Sequence, residues 1–550
     1  MEGERSLIAA LQADFALTGE AARFDDARIA QTWRNPAAFE TALLAVVERG
    51  APRLSSSLDR AIALYSDCLL RQRSARGAAI EYYDDRAGWQ SYSYAQLDLE
   101  ATRLASIWRA HLSAKSVVAL AIEPQPLMFA ACFAAWRLGA AVCVLPSPSP
   151  MTVERALVAC GATAVVRDPE APWPLPAQWA DTVLSLQGAV RADVAPPVSF
   201  AAGQPALIAV SPLGAATRAS KVSARELLIS ALRDALLHFD LVAGRRVCAP
   251  LCDPAQWYPT LALAAFVVGA TLVLIPSRRV LAEPATLDLR PLDVVVVRRA
   301  LMALLDERGL VPGRHWSRAL RCVEESLDWD ATSRFLRAQR RDLPTANILY
   351  DAGSGGAILC SPSRPASASS RVIPAAGRPW KLEGALPTSA GVFSAKSAKS
   401  PLTTTPFLVA RQGSECLYAG TLDPRRDGRA YDCEAALAAI HGLPWLRGAS
   451  FVIDAVDPCT ARFTLVAFCT DATRAVELRR ELEARITRAL GVDALPDEIA
   501  LYEGFAHKKG GHVDAAWVAA QYRAGWLALK QESTPFLALA RLRSLAEGRF

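Results

Sequence analysis

Val117–Ser147 reads VVALAIEPQPLMFAACFAAWRLGAAVCVLPS. The run divides into a buried strand (VVALAIE), a buried helix (PLMFAACFAAWRLG) broken at Arg137-Leu138-Gly139, and a second buried strand (AAVCVLPS). TVERALVACGATAVV adds one more helix and strand. Alternation at this length implies right-handed crossovers and a mainly parallel sheet. The pattern recurs at Tyr258–Pro276, YPTLALAAFVVGATLVLIP, a stretch of 19 residues without a charge. That is nearly enough to span a bilayer. Gly269 sits where a helix would stop, however, and TLVLI after it is rich in β-formers. Buried helix, glycine turn and buried strand is the reading, and no membrane partner is expected.

Outward from these two stretches the chain keeps the same character. Residues 1–75 form a helical N-terminal extension with apolar faces in AAFETALLAVVERG and LDRAIALYSDCLL. AAIEYYDDRAGWQSYSYAQL predicts a hairpin, and Ser93 or a neighbour opens the helix AQLDLEATRLASIWRAHL. Leu292–Arg298 (LDVVVVR) is a strand followed by the helix ALMALLDERGL. TANILYDAGSGGAILC gives strand, loop, strand. Composition shifts to Ser, Ala, Pro, Lys and Thr over residues 361–406, a surface loop or the remnant of a barrel. Near the C-terminus ARFTLVAFCTD is a strand, and Leu478, Leu482, Ile486 and Leu490 line one face of a helix.

Composition narrows the classes. The chain has 550 residues, 52% of them apolar and 21% charged, with a net charge of +6 spread along its length. No basic block with interleaved aromatics points to nucleic acid. Twelve cysteines and six histidines show no metal-ligand spacing, so no metal site is expected and the thiols suit a reducing cytoplasm. MEGERSL lacks the basic and apolar regions of a signal peptide.

One stretch has the layout of a phosphate cradle. In Ala206–Val222, ALIAVSPLGAATRASKV, a strand breaks into a small-residue loop that ends on Lys221 before a helix. Backbone N–H groups, hydroxyls and an ammonium suit an anion. Only Gly214, Thr217 and Lys221 fit that task; an ordinary connection is the competing reading.

YSYAQLDLEATRLASIWRAHL with Val117–Ser147, and ALRDALLHFDLVAGRRVCAPLCDPAQWYPTLALAAFVVGATLVLIPS later, resemble the adenylate-forming acyl-CoA synthetase superfamily. The resemblance runs in order from about Ala63 to Ala516. It implies an α/β fold: a large N-terminal region of two sheet-and-helix subdomains with a reduced barrel, then a small α+β C-terminal lid. The implied boundaries are residues 76–423 for the AMP-binding-like domain and 424–550 for the lid-like domain. Active members join a carboxylate to ATP with Mg²⁺ and pass the acyl group to a thiol.

The family's motifs are eroded here. Its phosphate loop resembles T-S-G-T-T-G-x-P-K-G; aligned on Gly214, this chain has alanines for two threonines, Thr217 for the second Gly, and Lys221 one residue late. Methyl groups donate nothing to a phosphate. The Y-G-x-T-E motif, whose Glu serves Mg²⁺, matches Asp351-Ala352-Gly353-Ser354-Gly355, with Ser354 for Thr and Gly355 for Glu. A register starting at Tyr350 supplies no Glu either. Asp351 is a nearby substitute carboxylate. The T-G-D motif, whose Asp grips ribose, is reduced to Thr421-Leu422-Asp423, which also reads as a turn. A hinge segment is missing after GRAYD. In the family's G-K-[IV]-D, His512 takes the position of the lid lysine, with Lys508 and Lys509 close by; neutral His is a poor replacement for a fixed charge.

The resemblance therefore implies a degenerate member that no longer forms adenylates. It would bind a small acyl, nucleotide or CoA-type ligand, or scaffold a partner such as an intact synthetase or a carrier protein. Trp257 and Tyr258 would wall an acyl pocket, or else pack in the core. The alternative is a divergent ligase using ATP and Mg²⁺ through Lys221, Asp423 and a repositioned Lys508 or Lys509.

Overall fold

The computed structural model describes residues 39–40, 43, 64–70, 72–74, 77–146, 150–168, 173, 175–188, 196–201, 203–213, 216–310, 316–322, 343–361, 364–365, 371–375, 380–383, 390–395, 407–412, 415–421, 425–426, 429–431, 433–457, 460–504, 506, 508–509, 512–523 and 527. Most of the N-terminal extension, Gly214 and Asp423 lie outside them, as do the side chains of Thr217, Lys508, Lys509 and His512.

Two strands, β1 (Ala78–Asp84) and β2 (Gly88–Ser93), form the expected hairpin. Helix α1 (Tyr94–Trp108) follows at once. Ser93 accepts from the Gln96 N–H while the Gln96 side chain accepts from the Ser93 N–H, a reciprocal cap that satisfies both donors. Next come β3 (Val117–Ala121), α2 (Pro126–Arg137), β4 (Ala141–Val144), α3 (Pro150–Cys160) and β5 (Ala164–Arg167). Strand β3 pairs in parallel with both β4 and β5. With β6 (Pro205–Leu213) and β7 (Ala216–Ser223) they make a five-stranded sheet in the order β5-β3-β4-β6-β7.

The chain then runs through α4 (Ala224–Arg233), β8 (Arg246–Cys248), α5 (Pro254–Val267), β9 (Thr271–Leu274), β10 (Val294–Val297), β11 (Arg318–Cys322), β12 (Pro344–Asp351) and β13 (Gly356–Cys360). Strands β1, β9, β8, β10, β11 and β12 are parallel neighbours in that order, with β2 outside β1 and β13 antiparallel to β12. Val294–Val297 is buried on both faces, as a central parallel strand must be. The Ser-, Ala- and Pro-rich region contributes strands at Arg371–Pro374, Trp380–Glu383 and Ala390–Ala395, and Phe407–Gln412 and Glu415–Thr421 follow it. They extend the large sheet beyond β13 as antiparallel neighbours, and no closed barrel forms among the described residues.

The helices α1, α2, α4 and α5 share one continuous core with both sheets. Phe129, Phe133, Phe266 and Tyr94 meet mostly edge to face within it. The uncharged stretch Tyr258–Pro276 is divided between helix α5 and strand β9. The helix ends before Gly269 at φ +76°, and no described helix is long and apolar enough to cross a membrane.

The described residues fall into two compact units, one within Met1–Pro148, Val153–Ser211 and Thr217–Leu422, the other Asp423–Phe550 with the short pieces Ser149–Thr152 and Pro212–Ala216. In the second, strands Leu446–Asp457, Thr460–Cys469 and Glu498–Glu503 form a three-stranded sheet. Helix Ala475–Leu490 covers one face with Leu478, Leu482, Ile486 and Leu490, all buried. Val518, from helix Ala515–Arg523, packs against Val452, Val466 and Phe468 on the other.

Candidate ligand site at the carboxyl edge of the large sheet

Open parallel sheets bind ligands beyond the carboxyl ends of their strands, where connections leave a crevice. In the large sheet those ends are followed by Ala249–Asp253 after β8, Arg298 after β10 and Asp351–Gly355 after β12. The sequence placed its Mg²⁺-side motif in the last of these.

The turn after β12 is built for glycine. Ala352–Ser354 form a single tight helical turn, and Gly355 and Gly356 follow at φ +78° and +130°. Both values lie where a β-carbon is penalised. At Gly356 a β-carbon would also stand 2.2 Å from Oδ2 of Asp234. That carboxylate is the floor of the turn: Oδ2 accepts the Ala357 N–H at 2.9 Å and Oδ1 accepts from Nε of Arg233 at 2.7 Å. Arg233 completes the clamp by donating to the Ala357 carbonyl at 3.1 Å. Arg233 and Asp234 are 3% and 1% exposed, so each charge is buried with its partner. They lie where α4 passes into a single π-helical turn, Asp234–His238. Sequence reasoning missed them. The available signal was an Arg-Asp pair inside the apolar run SALRDALLHF.

The other side of the turn meets the cradle-like stretch. A β-carbon on Gly353 would be 3.2 Å from Cβ of Ser220 and 3.3 Å from Oδ2 of Asp351. Two segments singled out separately in the sequence are therefore in contact, through Ser220 and Gly353. Lys221, beside Ser220, is exposed, and Ser354 is buried. The cradle itself is not a long loop, since β6 continues to Leu213 and β7 begins at Ala216. Strand β7 lies at the sheet's edge, and an exposed edge Lys blocks further pairing as readily as it binds an anion.

The loop after β8 is held just as specifically. Leu251 adopts φ +59°, a left-handed conformation uncommon for a leucine. Its carbonyl accepts from Nη1 of buried Arg298 at 2.7 Å. Asp253 then caps α5, accepting from the N–H of Ala255 at 2.9 Å and of Gln256 at 3.4 Å. Gln256 reaches across to donate to the Tyr350 carbonyl at 3.1 Å. Trp257 and Tyr258 point into the main core: Trp257 stacks on Tyr350, and the Tyr258 hydroxyl donates to the Ala249 carbonyl at 3.2 Å. Burial pushes the Tyr258 phenol well up, with the nearby thiols of Cys248 and Cys252 adding to it. Burial likewise raises the Cys248 thiol, so both groups stay protonated at neutral pH. No disulfide joins the cysteines whose side chains are described, and all of these but Cys433 are buried.

The edge thus offers turn backbone, the Ser220 hydroxyl, the Asp351 carboxylate in the turn and the Asp253 carboxylate, which is already engaged in capping α5. Magnesium in such sites is held by one or two carboxylates with substrate phosphates. Gly355 supplies none, and no group of three or more His, Cys, Asp or Glu among the described residues is placed to hold a metal. These residues do not build a metal site by themselves.

A family model described as AMP-binding enzyme matches residues 70–206. Solved structures match over most of the chain. One is an artificially fused adenylation-PCP di-domain, NpsA-ThdA from Klebsiella oxytoca, with TM-score 0.63, 13% identity, and coverage of 80% of this chain and 94% of that one. Another is o-succinylbenzoate CoA synthetase (MenE) from Bacillus subtilis, bound with a product analogue, with TM-score 0.65, 14% identity, and coverage of 84% and 98%. A third is the amide bond synthetase McbA from Marinactinospora thermotolerans, with TM-score 0.64, 17% identity, and coverage of 83% and 99%. No curated protein matches the chain in sequence. Residues 70–206 match the AMP-binding enzyme family model, and the chain shares its fold with these three solved structures.

Proposed function

We propose that this protein keeps the adenylate-forming fold without adenylate formation, and that the carboxyl edge of the large sheet holds a small acyl, nucleotide or CoA-type ligand. The observation that carries this reading is the turn after β12. Where the superfamily's motif has a Glu, Gly355 stands in a left-handed conformation, and Asp234 pins the following residues from below. Asp351 is then the single carboxylate of the turn. The changed surroundings of Lys221, the loss of the hinge and His512 in the lid lysine's position point the same way, because electrostatic stabilisation of a developing charge depends on fixed, placed cations. We assign the C-terminal region to a lid-like domain, and the lack of disulfides among the described cysteines suits a cytoplasmic setting.

The similar proteins include one fused to a carrier-protein domain and one bound to a CoA product analogue. A carrier protein or an intact synthetase is accordingly the partner we favour if the chain acts as a scaffold. A divergent ligase using ATP and Mg²⁺ through Lys221, Asp423 and Lys508 or Lys509 is the second reading. The carboxylate of Asp351, packed against Gly353, favours it. Thermal shift with ATP, AMP, CoA and acyl-CoA separates ligand binder from scaffold. The binding reading expects a raised Tm with at least one of the four; no shift with any supports the scaffold.

A further inference from the structure

Strand β4 has two different faces. Val142 and Val144 enter the main core, whereas Ala141, Cys143 and the following Leu145 lie in a second, smaller cluster on the other side of the sheet. Alternation along a strand requires this. Helix α3 covers the second face with Val153, Ala156, Leu157 and Cys160, which recur at helical spacing. Two cysteines from separate elements are thereby brought together, and the thiols of Cys143 and Cys160 hydrogen-bond to each other.

The two thiols are not equivalent. Cys160 is the last residue of α3, and Gly161 follows it at φ +64°. The Cys160 thiol donates to the Leu157 carbonyl at 3.4 Å, and its sulfur accepts the Ala162 N–H. The hydrogen bond from Cys143, helped by that N–H, draws the Cys160 thiol below its ordinary value against the effect of burial. The same contact, together with burial, pushes the Cys143 thiol well up. Cys160 is 5% exposed, on the last turn of a helix whose Val158 is 65% exposed, while Cys143 is 0% exposed. A more acidic thiol near the surface with a protonated thiol behind it is suited to react first and be resolved by its neighbour.

We propose that Cys143 and Cys160 form a redox-modification site whose oxidant is a peroxide. The Cys160 thiolate attacks one peroxide oxygen and the O–O bond breaks. The departing hydroxide takes up the proton that Cys160 released, leaving as water, and Cys160 becomes a sulfenic acid. The Cys143 sulfur then attacks the Cys160 sulfur, the S–O bond breaks, and the Cys143 proton leaves with the hydroxyl as a second water. The two thiols are oxidised to one disulfide, and the peroxide is reduced to water. None of these residues belongs to the candidate ligand site. In a reducing compartment such a bond is transient, because cellular thiols restore the dithiol.

The full chain, reduced and then exposed to a few equivalents of hydrogen peroxide, is quenched with N-ethylmaleimide and mapped by mass spectrometry without reductant. The expected main product is a Cys143–Cys160 cross-link, removed by dithiothreitol and formed at least about tenfold faster than oxidation of any other cysteine, since the other buried thiols lack an acidic member. Dimedone, which captures sulfenic acids, reads the order of attack. It should label Cys160 in Cys143→Ala and leave Cys143 unlabelled in Cys160→Ala. The mapping itself needs no variant, so it stands even where a variant fails to fold. Absence of the cross-link in the folded protein, its appearance only in denaturant, equally fast oxidation of Cys248 or Cys252, or dimedone on Cys143 in Cys160→Ala overturns the proposal.

Discussion

Helices α2 and α5 begin as the same piece of structure. Each follows a parallel strand, carries a proline at its first turn (Pro126, Pro254) and is buried almost all round. Each ends on a left-handed glycine, Gly139 at φ +78° and Gly269 at φ +76°. Even the closing bonds correspond: Ala140 N–H to Ala135 carbonyl at 3.0 Å, and Ala270 N–H to Ala265 carbonyl at 2.9 Å. The two helices touch in the core, where Phe129 meets Tyr258 and Phe266. They differ at their N-terminal ends. Gln125 gives α2 no side-chain cap and bonds to Asp168, whereas Asp253 caps α5, strained Leu251 precedes it, and Gln256 and Trp257 reach Tyr350. The C-terminal halves set the frame, and the N-terminal end of α5 builds the candidate site.

The largest effect is expected where that site is anchored. Asp234→Ala strands the buried Arg233 and frees the Ala357 N–H, which should cost about 3–5 kcal/mol in denaturant unfolding. Asp168→Ala, at the edge served by α2, should cost about 1–2 kcal/mol, since it removes hydrogen bonding without isolating a buried charge in the same way. Equal losses would break the contrast between the two edges.

The glycines test the shared half. A side chain at Gly269 would meet Oε1 of Gln72 at 2.9 Å, and one at Gly139 would meet Cγ1 of Val198 at 3.0 Å, both at the ends of side chains. Gly269→Ala and Gly139→Ala should therefore each lose about 1–2 kcal/mol, mainly from the backbone. A difference much larger than the measurement error would show that the frames are not equivalent.

Much of this frame was legible in the sequence because it depends on local patterning. Gly139 and Gly269 stop apolar runs, Ser93 opens a helix, and Leu478, Leu482, Ile486 and Leu490 recur at helical spacing. The site was legible only as places along the chain. That Asp234 supports a turn at Gly356, or that Ser220 meets Gly353, depends on chain crossings that no local pattern encodes. Strand β7 escaped for a different reason. Its small residues read as a loop, and edge pairing organises them.

The smallest effect concerns the caps. Asp253→Ala should cost about 1 kcal/mol, and Gln125→Ala less, because only Asp253 accepts from its helix's first N–H groups. Chemical denaturation of the two variants side by side would sharpen the comparison, and a larger loss at Gln125 would reverse it.

The central proposal is that the edge built around α5 and the glycine turn derives from an adenylation site and no longer performs its chemistry. ATP–pyrophosphate exchange over a panel of carboxylates, with Mg²⁺ present, tests it most directly. The account predicts no carboxylate-dependent exchange with any acid. Exchange that depends on a carboxylate, and is lost in Asp351→Ala, would contradict it and establish the divergent ligase instead.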